Sequence, residues 1–158
     1  MSEFTHLDKT GKATMVDVSA KAVTFRTATA RAIVFLPDVV LTHLNEGDLT
    51  TKKGSVFQTA IIAGIMAAKK TGELIPLCHP LGMDNCNVGI SINDNNEVVI
   101  ECTASITAKT GIEMEALVGA SMAALTIYDM CKALSHDIII KQVQLIEKTG
   151  GKRDFKRA

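Results

Sequence analysis

The chain has 158 residues, 17 basic and 17 acidic side chains and no formal net charge. That balance argues against a protein that binds nucleic acid by bulk attraction, and one Tyr, five Phe and no Trp leave no base-stacking platform. The length fits a single domain, 1–158, that buries roughly 70% of its unfolded surface.

Residues 1–14 are polar, contain Gly11 and read as a mobile arm; Glu3, His6 and Asp8 rule out a signal peptide there. Residues 15–18 alternate as a short strand or extended segment. Residues 23–36 are rich in β-formers and predict the first main strand, with Arg26 and Arg31 pointing off it. Pro37 suits the first position of a short helix over 38–44, ended by Asn45-Glu-Gly47. Lys52-Lys53-Gly54-Ser55 then opens a long helix, with Ser55 as its N-cap and Gly72 after its end. Ala60, Ala63, Gly64, Ala67 and Ala68 form a stripe of small residues along it.

Residues 73–83 read as a loop that holds Pro76-Leu-Cys-His-Pro80. Val88, Ile90 and Ile92 alternate, as do Ile100, Cys102, Ala104 and Ile106, and Asp94-Asn-Asn96 between them signals a hairpin. A second long helix follows. Thr110 and Glu113 fit the capping-box spacing, so its start is expected near Gly111. Its uncharged run over 116–128 falls short of the about 20 residues that cross a bilayer, and no membrane association is expected. Ala116, Gly119, Ala120, Ala123 and Ala124 repeat the small stripe, so the two helices should lie close together. Residues 138–146 form the last strand, and 149–158 read as a flexible tail.

Strand, helix, hairpin, helix, strand is the β-α-β-β-α-β order of a ferredoxin-like fold. The expected class is α+β, an antiparallel sheet with both long helices on one face. The other face needs a cover, so self-association is expected. Cys78, Cys86, Cys102 and Cys131 contain no C-x-x-C. No metal site follows from their spacing, and a cytoplasmic location with reduced thiols is expected.

Three groups of residues could carry chemistry. His79 is held extended by Pro80 and suits proton transfer or ligand binding, or is a structural loop histidine. Glu113 and Glu115 either complement a helix dipole or face a ligand, and Asp129 with Lys132 is either a surface pair or an acid and an amine at a site wall. Arg26, Lys53, Lys69, Lys132 and Lys148 each sit near the end of an element; each is either a solvated surface charge or part of a site for an anion. No phosphate-loop motif is present.

Five stretches together resemble one family: Met15-Val-Asp-Val-Ser-Ala-Lys21, Lys53-Gly54, Ile75-Pro-Leu-Cys-His-Pro-Leu81, Thr110-Gly-Ile-Glu-Met-Glu-Ala-Leu117 and Leu125-Thr-Ile-Tyr-Asp-Met-Cys-Lys132. They look like the MoaC family, the cyclic pyranopterin monophosphate synthases of molybdenum-cofactor biosynthesis. The resemblance runs from about Thr5 to Asp154. It implies a phosphorus–oxygen lyase that converts 3′,8-cyclo-7,8-dihydro-GTP to cyclic pyranopterin monophosphate and releases pyrophosphate. It further implies a homohexamer, a trimer of dimers, with sites at subunit interfaces. No resident cofactor is implied, and a divalent cation accompanying the triphosphate stays open.

By the same resemblance Asp129 is the active-site acid/base, and Lys53 and Lys132 match catalytic lysines. Leu77, Cys78, His79, Met114 and Glu115 line the substrate. Arg26, Lys69 and Lys148 match positions that meet the triphosphate. Glu113 joins Glu115 at the base end, where carboxylates accept from guanine N–H groups and repel phosphates. The tail departs from the family's frequent Lys-Ser-Gly-Gly-Lys-Ser-Gly, reading Lys148-Thr-Gly-Gly-Lys-Arg-Asp154, and no contact is assigned beyond Lys148. The competing class is a non-catalytic oligomeric module that binds a nucleotide or another subunit. A metal-transfer reading through Cys78, His79 and Cys86 lacks ligand spacing.

Overall fold

A computed structural model describes residues 4–158. The main sheet has five antiparallel strands in the order β5-β6-β1-β7-β8: β1 (Thr24–Phe35), β5 (Asn85–Ile92), β6 (Glu97–Ala108), β7 (Ile139–Thr149) and β8 (Phe155–Lys156). Strand alternation decides which side chains enter the core. Ala28, Ala30, Ala32 and Val34 of β1 and Val98, Ile100, Cys102, Ala104 and Ile106 of β6 are buried. Thr29 and Thr103 pair by their hydroxyls, and Arg31 and Glu101 by charge, between them on the other face. β7 carries a surplus residue, Lys141, and another, Ile146, relative to β1.

Two long helices, α2 (Val56–Lys69) and α4 (Glu113–Cys131), cover the buried face, giving the expected α+β ferredoxin-like arrangement. They meet through their small stripes. A Cβ added at Gly64 would stand 2.8 Å from the Gly119 carbonyl oxygen, so the backbones touch with no side chain between them. Ser55 caps α2, accepting from the Gln58 amide.

Several boundaries differ from the sequence reading. The short helix α1 (Asp38–Leu41) ends early, and the chain instead builds a small sheet of β2 (Leu44–Asn45), β3 (Asp48–Thr51) and β4 (Gly54–Ser55). Asp48 anchors it, accepting from the Ser55 hydroxyl and from the Leu49 and Phe57 amides. Gly72 sits inside a one-turn helix, α3 (Thr71–Leu74), rather than after a helix end. α4 begins at Glu113, not near Gly111, and Ile112 at its N-cap makes no side-chain cap bond. The capping-box carboxylate is engaged elsewhere: Glu113 accepts from Lys148. Residues 15–18 have no regular secondary structure and pair with no strand.

Of the arm 1–14, residues 1–3 lie outside the described residues; in the rest, Leu7 bridges Ala13 and Asp8 accepts from the Thr10 and Lys12 amides. The tail turns at Gly150 and returns as β8 alongside Glu147 and Lys148. Gly150 has φ 84°, and a Cβ there would stand 2.0 Å from the Phe25 carbonyl oxygen, so the turn needs glycine.

Candidate active site

The first turn of α4, the Cys-His-Pro loop, the start of β1, the end of β7 and the segment 15–21 enclose a cleft of about 410 Å³. It brings together Arg26, Leu77, Cys78, His79, Glu113, Met114, Glu115 and Lys148. Each is placed by a local cause. His79 Nε2 lies 2.8 Å from the Val16 carbonyl. A carbonyl only accepts, so Nε2 carries the hydrogen and Nδ1 is left as the acceptor of the neutral ring. Arg26 donates from Nε to Ala108 and from Nη2 to Lys109, both carbonyls at 3.2 Å, and so holds the chain leading into α4.

The carboxyls in the first turn differ. Glu113 is half-buried and accepts from Lys148 Nζ at 2.9 Å. Glu115 is 3% exposed. Burial pushes its carboxyl above the usual range, the hydrogen bond from its own amide pulls back, and the charge of Glu113 pushes up again. A carboxyl moved upward in this way gains the capacity to give as well as take a proton. Burial also raises the Cys78 thiol, with Glu115 adding to the effect, so Cys78 presents a neutral S–H.

The remaining predicted residues lie elsewhere on this chain. Asp129 and Lys132 stand at the other end of α4, with Lys132 Nζ 2.7 Å from Asp129 Oδ1. Lys53, in the turn between β3 and β4, approaches Asp129 Oδ2 at 3.7 Å. The hydrogen bond from Lys132, and then the two lysine charges, hold the Asp129 carboxyl below its usual range; the same bond raises Lys132. Lys69, at the end of α2, lines an adjacent hollow of about 430 Å³ with Cys86; Leu81 borders both spaces. Asp129 follows Glu113 by sixteen helical residues, hence about 24 Å at 1.5 Å per residue. Within one chain the predicted residues therefore fall into two groups, one at each end of α4.

Sequence reasoning missed Val16, Val18, Lys21, Thr110, Gly111 and Lys152, which also line the cleft. The first five fall within the stretches that carried the family resemblance; nothing in their own chemistry marked them.

In this antiparallel α+β domain a histidine, carboxyls and cations surround one cleft, groups that can exchange protons with an anionic small molecule. The chain belongs to the MoaC family, whose sequence model matches residues 15–151. It is 53% identical to the cyclic pyranopterin monophosphate synthase of Xanthomonas axonopodis pv. citri, over 98% of this chain and 93% of the relative. It is 52% identical to the molybdenum cofactor biosynthesis bifunctional protein of Synechocystis, over 96% of this chain and 45% of that one. With molybdenum cofactor biosynthesis protein 1 of Dictyostelium discoideum the identity is 47%, over 96% and 27%.

Proposed function

We propose that this chain is a cyclic pyranopterin monophosphate synthase, converting 3′,8-cyclo-7,8-dihydro-GTP to cyclic pyranopterin monophosphate with release of pyrophosphate. The names of its relatives support the reaction. The observation that carries the reading to this chain is the cleft, where a buried carboxyl, a histidine of fixed tautomer and an arginine–lysine side stand together.

The chemistry divides accordingly. Opening and rebuilding the guanine ring moves several protons, and Glu115, Glu113 and His79 are the groups in the cleft that accept or return them. Closing the cyclic phosphate requires a hydroxyl oxygen of the substrate to attack the α-phosphorus. The bond to the bridging oxygen breaks, pyrophosphate leaves with the electron pair, and the hydroxyl proton passes to a base. Arg26 and Lys148 face the developing charge, and Lys69 lies beyond the shared Leu81 wall, so that cations stabilise the leaving group. The reading assigns no resident cofactor; a divalent cation would enter as the companion of the triphosphate.

Asp129, Lys53 and Lys132 act as the acid/base and lysine pair of the reaction. They are about 24 Å from the first turn of the same α4. The reading therefore includes a homohexamer, a trimer of dimers, in which the far end of α4 in one subunit completes the cleft of another. The location is cytoplasmic; among the described residues no helix is long and apolar enough to cross a membrane.

The test is direct. The purified protein is incubated with the cyclised nucleotide, and pyrophosphate and the cyclic phosphate product are measured. Release of both is expected. Binding without release would replace this reading by a non-catalytic nucleotide module.

A further inference from the structure

The segment 15–21 has no regular secondary structure, yet Val16, Val18 and Lys21 form part of the cleft wall. Among the described residues, hydrogen bonds from outside the segment reach it at three carbonyls: the adjoining Thr14 hydroxyl donates to Met15 at 3.4 Å, and two bonds come from distant elements. His79 Nε2 bonds to Val16 at 2.8 Å, and Lys109 Nζ donates to Ser19 at 2.9 Å. Inside the segment, Asp17 accepts from the Ser19 amide at 2.9 Å and from its hydroxyl, and the Lys21 amide donates to Val18 at 3.0 Å. The stretch from Asp17 to Lys21 is thus one compact turn, gripped from outside by Lys109. The Asp17 carboxyl is held below its usual range by the Ser19 bonds first and by the Lys109 charge to a lesser degree.

Lys109 is well placed for that grip. It precedes Thr110 at the rim of the cleft, and its own carbonyl accepts from Arg26 Nη2 at 3.2 Å. Its main chain is therefore fixed to the arginine side, while its amine reaches over to the segment. Its side chain does not line the cleft.

We propose that residues 15–21 are a strap whose Val16 carbonyl sets the tautomer of His79, and that Lys109 is the positioning residue that holds the strap against the cleft. A neutral imidazole has two tautomers of similar energy, and the hydrogen bond made by one nitrogen decides which is present. The partner of Nε2 is a carbonyl on an irregular segment that no ladder or helix fixes. Without the Lys109 grip, that carbonyl is free to withdraw; Nε2 loses its partner, and Nδ1 ceases to be the sole acceptor. Lys109 acts through the strap and touches no substrate.

This inference rests on the proposed function only for its kinetic readout. Lys109→Met keeps the side-chain stem and removes the donor; Lys109→Arg restores a donor. In the wild type, a long-range ¹H–¹⁵N correlation of the neutral imidazole should show His79 as a single Nε2–H tautomer. Lys109→Met should mix the tautomers, speed amide exchange over 15–21, and lower kcat about ten-fold while KM moves less than about three-fold. Lys109→Arg should recover all three. An unchanged tautomer and unchanged exchange in Lys109→Met would overturn the proposal, as would an arginine variant that behaves like the methionine one. If the wild type releases no pyrophosphate, the functional reading fails alone, because the tautomer and exchange measurements still decide the strap.

Discussion

Lys148 donates to Glu113 across 2.9 Å and joins the end of β7 to the first turn of α4. The two side chains are 34% and 28% exposed, so solvent screens the pair and its coupling should not exceed about 1 kcal/mol in a double-mutant cycle. Under the proposed function its interest is in binding, because an arriving triphosphate would compete with Glu113 for the same ammonium group. Lys148→Gln should weaken substrate binding about ten-fold, the loss of one charge-assisted contact, and Glu113→Gln should leave it equal or tighter. Titration calorimetry on both variants checks this; undiminished affinity in Lys148→Gln removes that lysine from the triphosphate contacts.

Glu115 links the site to stability. Its carboxyl is raised in the folded chain by burial, with Glu113 contributing. A raised carboxyl binds its proton more tightly folded than unfolded. Its favourable contribution is therefore complete below the ordinary glutamate range, near 4.5, and is lost as pH climbs through the raised value. Glu115→Gln should melt higher than the wild type at pH 7, and this advantage should shrink toward pH 4. Thermal unfolding across that range is the measurement. In kinetics the same variant should keep triphosphate binding and lose turnover; lost binding would contradict the base-end placement of Glu115.

The exposed cluster at the other end of α4 should behave in the opposite way. Lys53→Ala and Lys132→Ala remove surface groups, so melting temperatures should stay unchanged while product formation falls at least ~10²-fold. Near-normal product from either variant ends the role of that lysine.

A subunit-mixing experiment tests the composite site. Asp129→Asn and Glu115→Gln chains should each be inactive. Refolded together at equal amounts, they should recover about one quarter of wild-type activity, because half the dimers are mixed and one site in each mixed dimer has two intact halves. No recovery would remove the composite site between subunits.

Gly64 tests the helix contact. An added methyl group would meet the Gly119 carbonyl at 2.8 Å, which is backbone and cannot swing away. Gly64→Ala should cost about 1–3 kcal/mol by urea unfolding. Gly119→Ala should cost a similar amount, since its Cβ would stand 2.6 Å from the Cys102 sulfur. Cys102→Ala in that background should recover part of the loss.

The features legible in the sequence were those with a local signature: the β-formers of β1, the alternation in β5 and β6, the Ser55 cap and the two small-residue stripes, which together define the fold. The sheet of β2, β3 and β4 was not legible, because strands of two to four residues are too short to alternate. The start of α4 was misplaced because Thr110 and Glu113 have capping-box spacing, while the carboxylate has a partner 35 residues away in Lys148. The site residues were legible only as motifs. That Glu115 and Asp129 occupy opposite ends of one rod is a matter of length, and no motif measures it. The strap went unnoticed because it acts through a backbone carbonyl, which every residue possesses.

The surplus residues of β7 act as a ruler. Starting from Ile140 opposite Val34, an uninterrupted antiparallel ladder would seat Lys148 across from Arg26. With Lys141 and Ile146 left out of the ladder, Lys148 stands across from Ala28 instead, displaced by two residues, or about 7 Å. An ammonium and a guanidinium that would otherwise be abreast are spaced along the strand, a separation that under the proposed function would let them meet different phosphoryl groups. Pairing Lys141 and Ile146 into the ladder, in place of bulging them, would collapse that spacing and leave two like charges side by side.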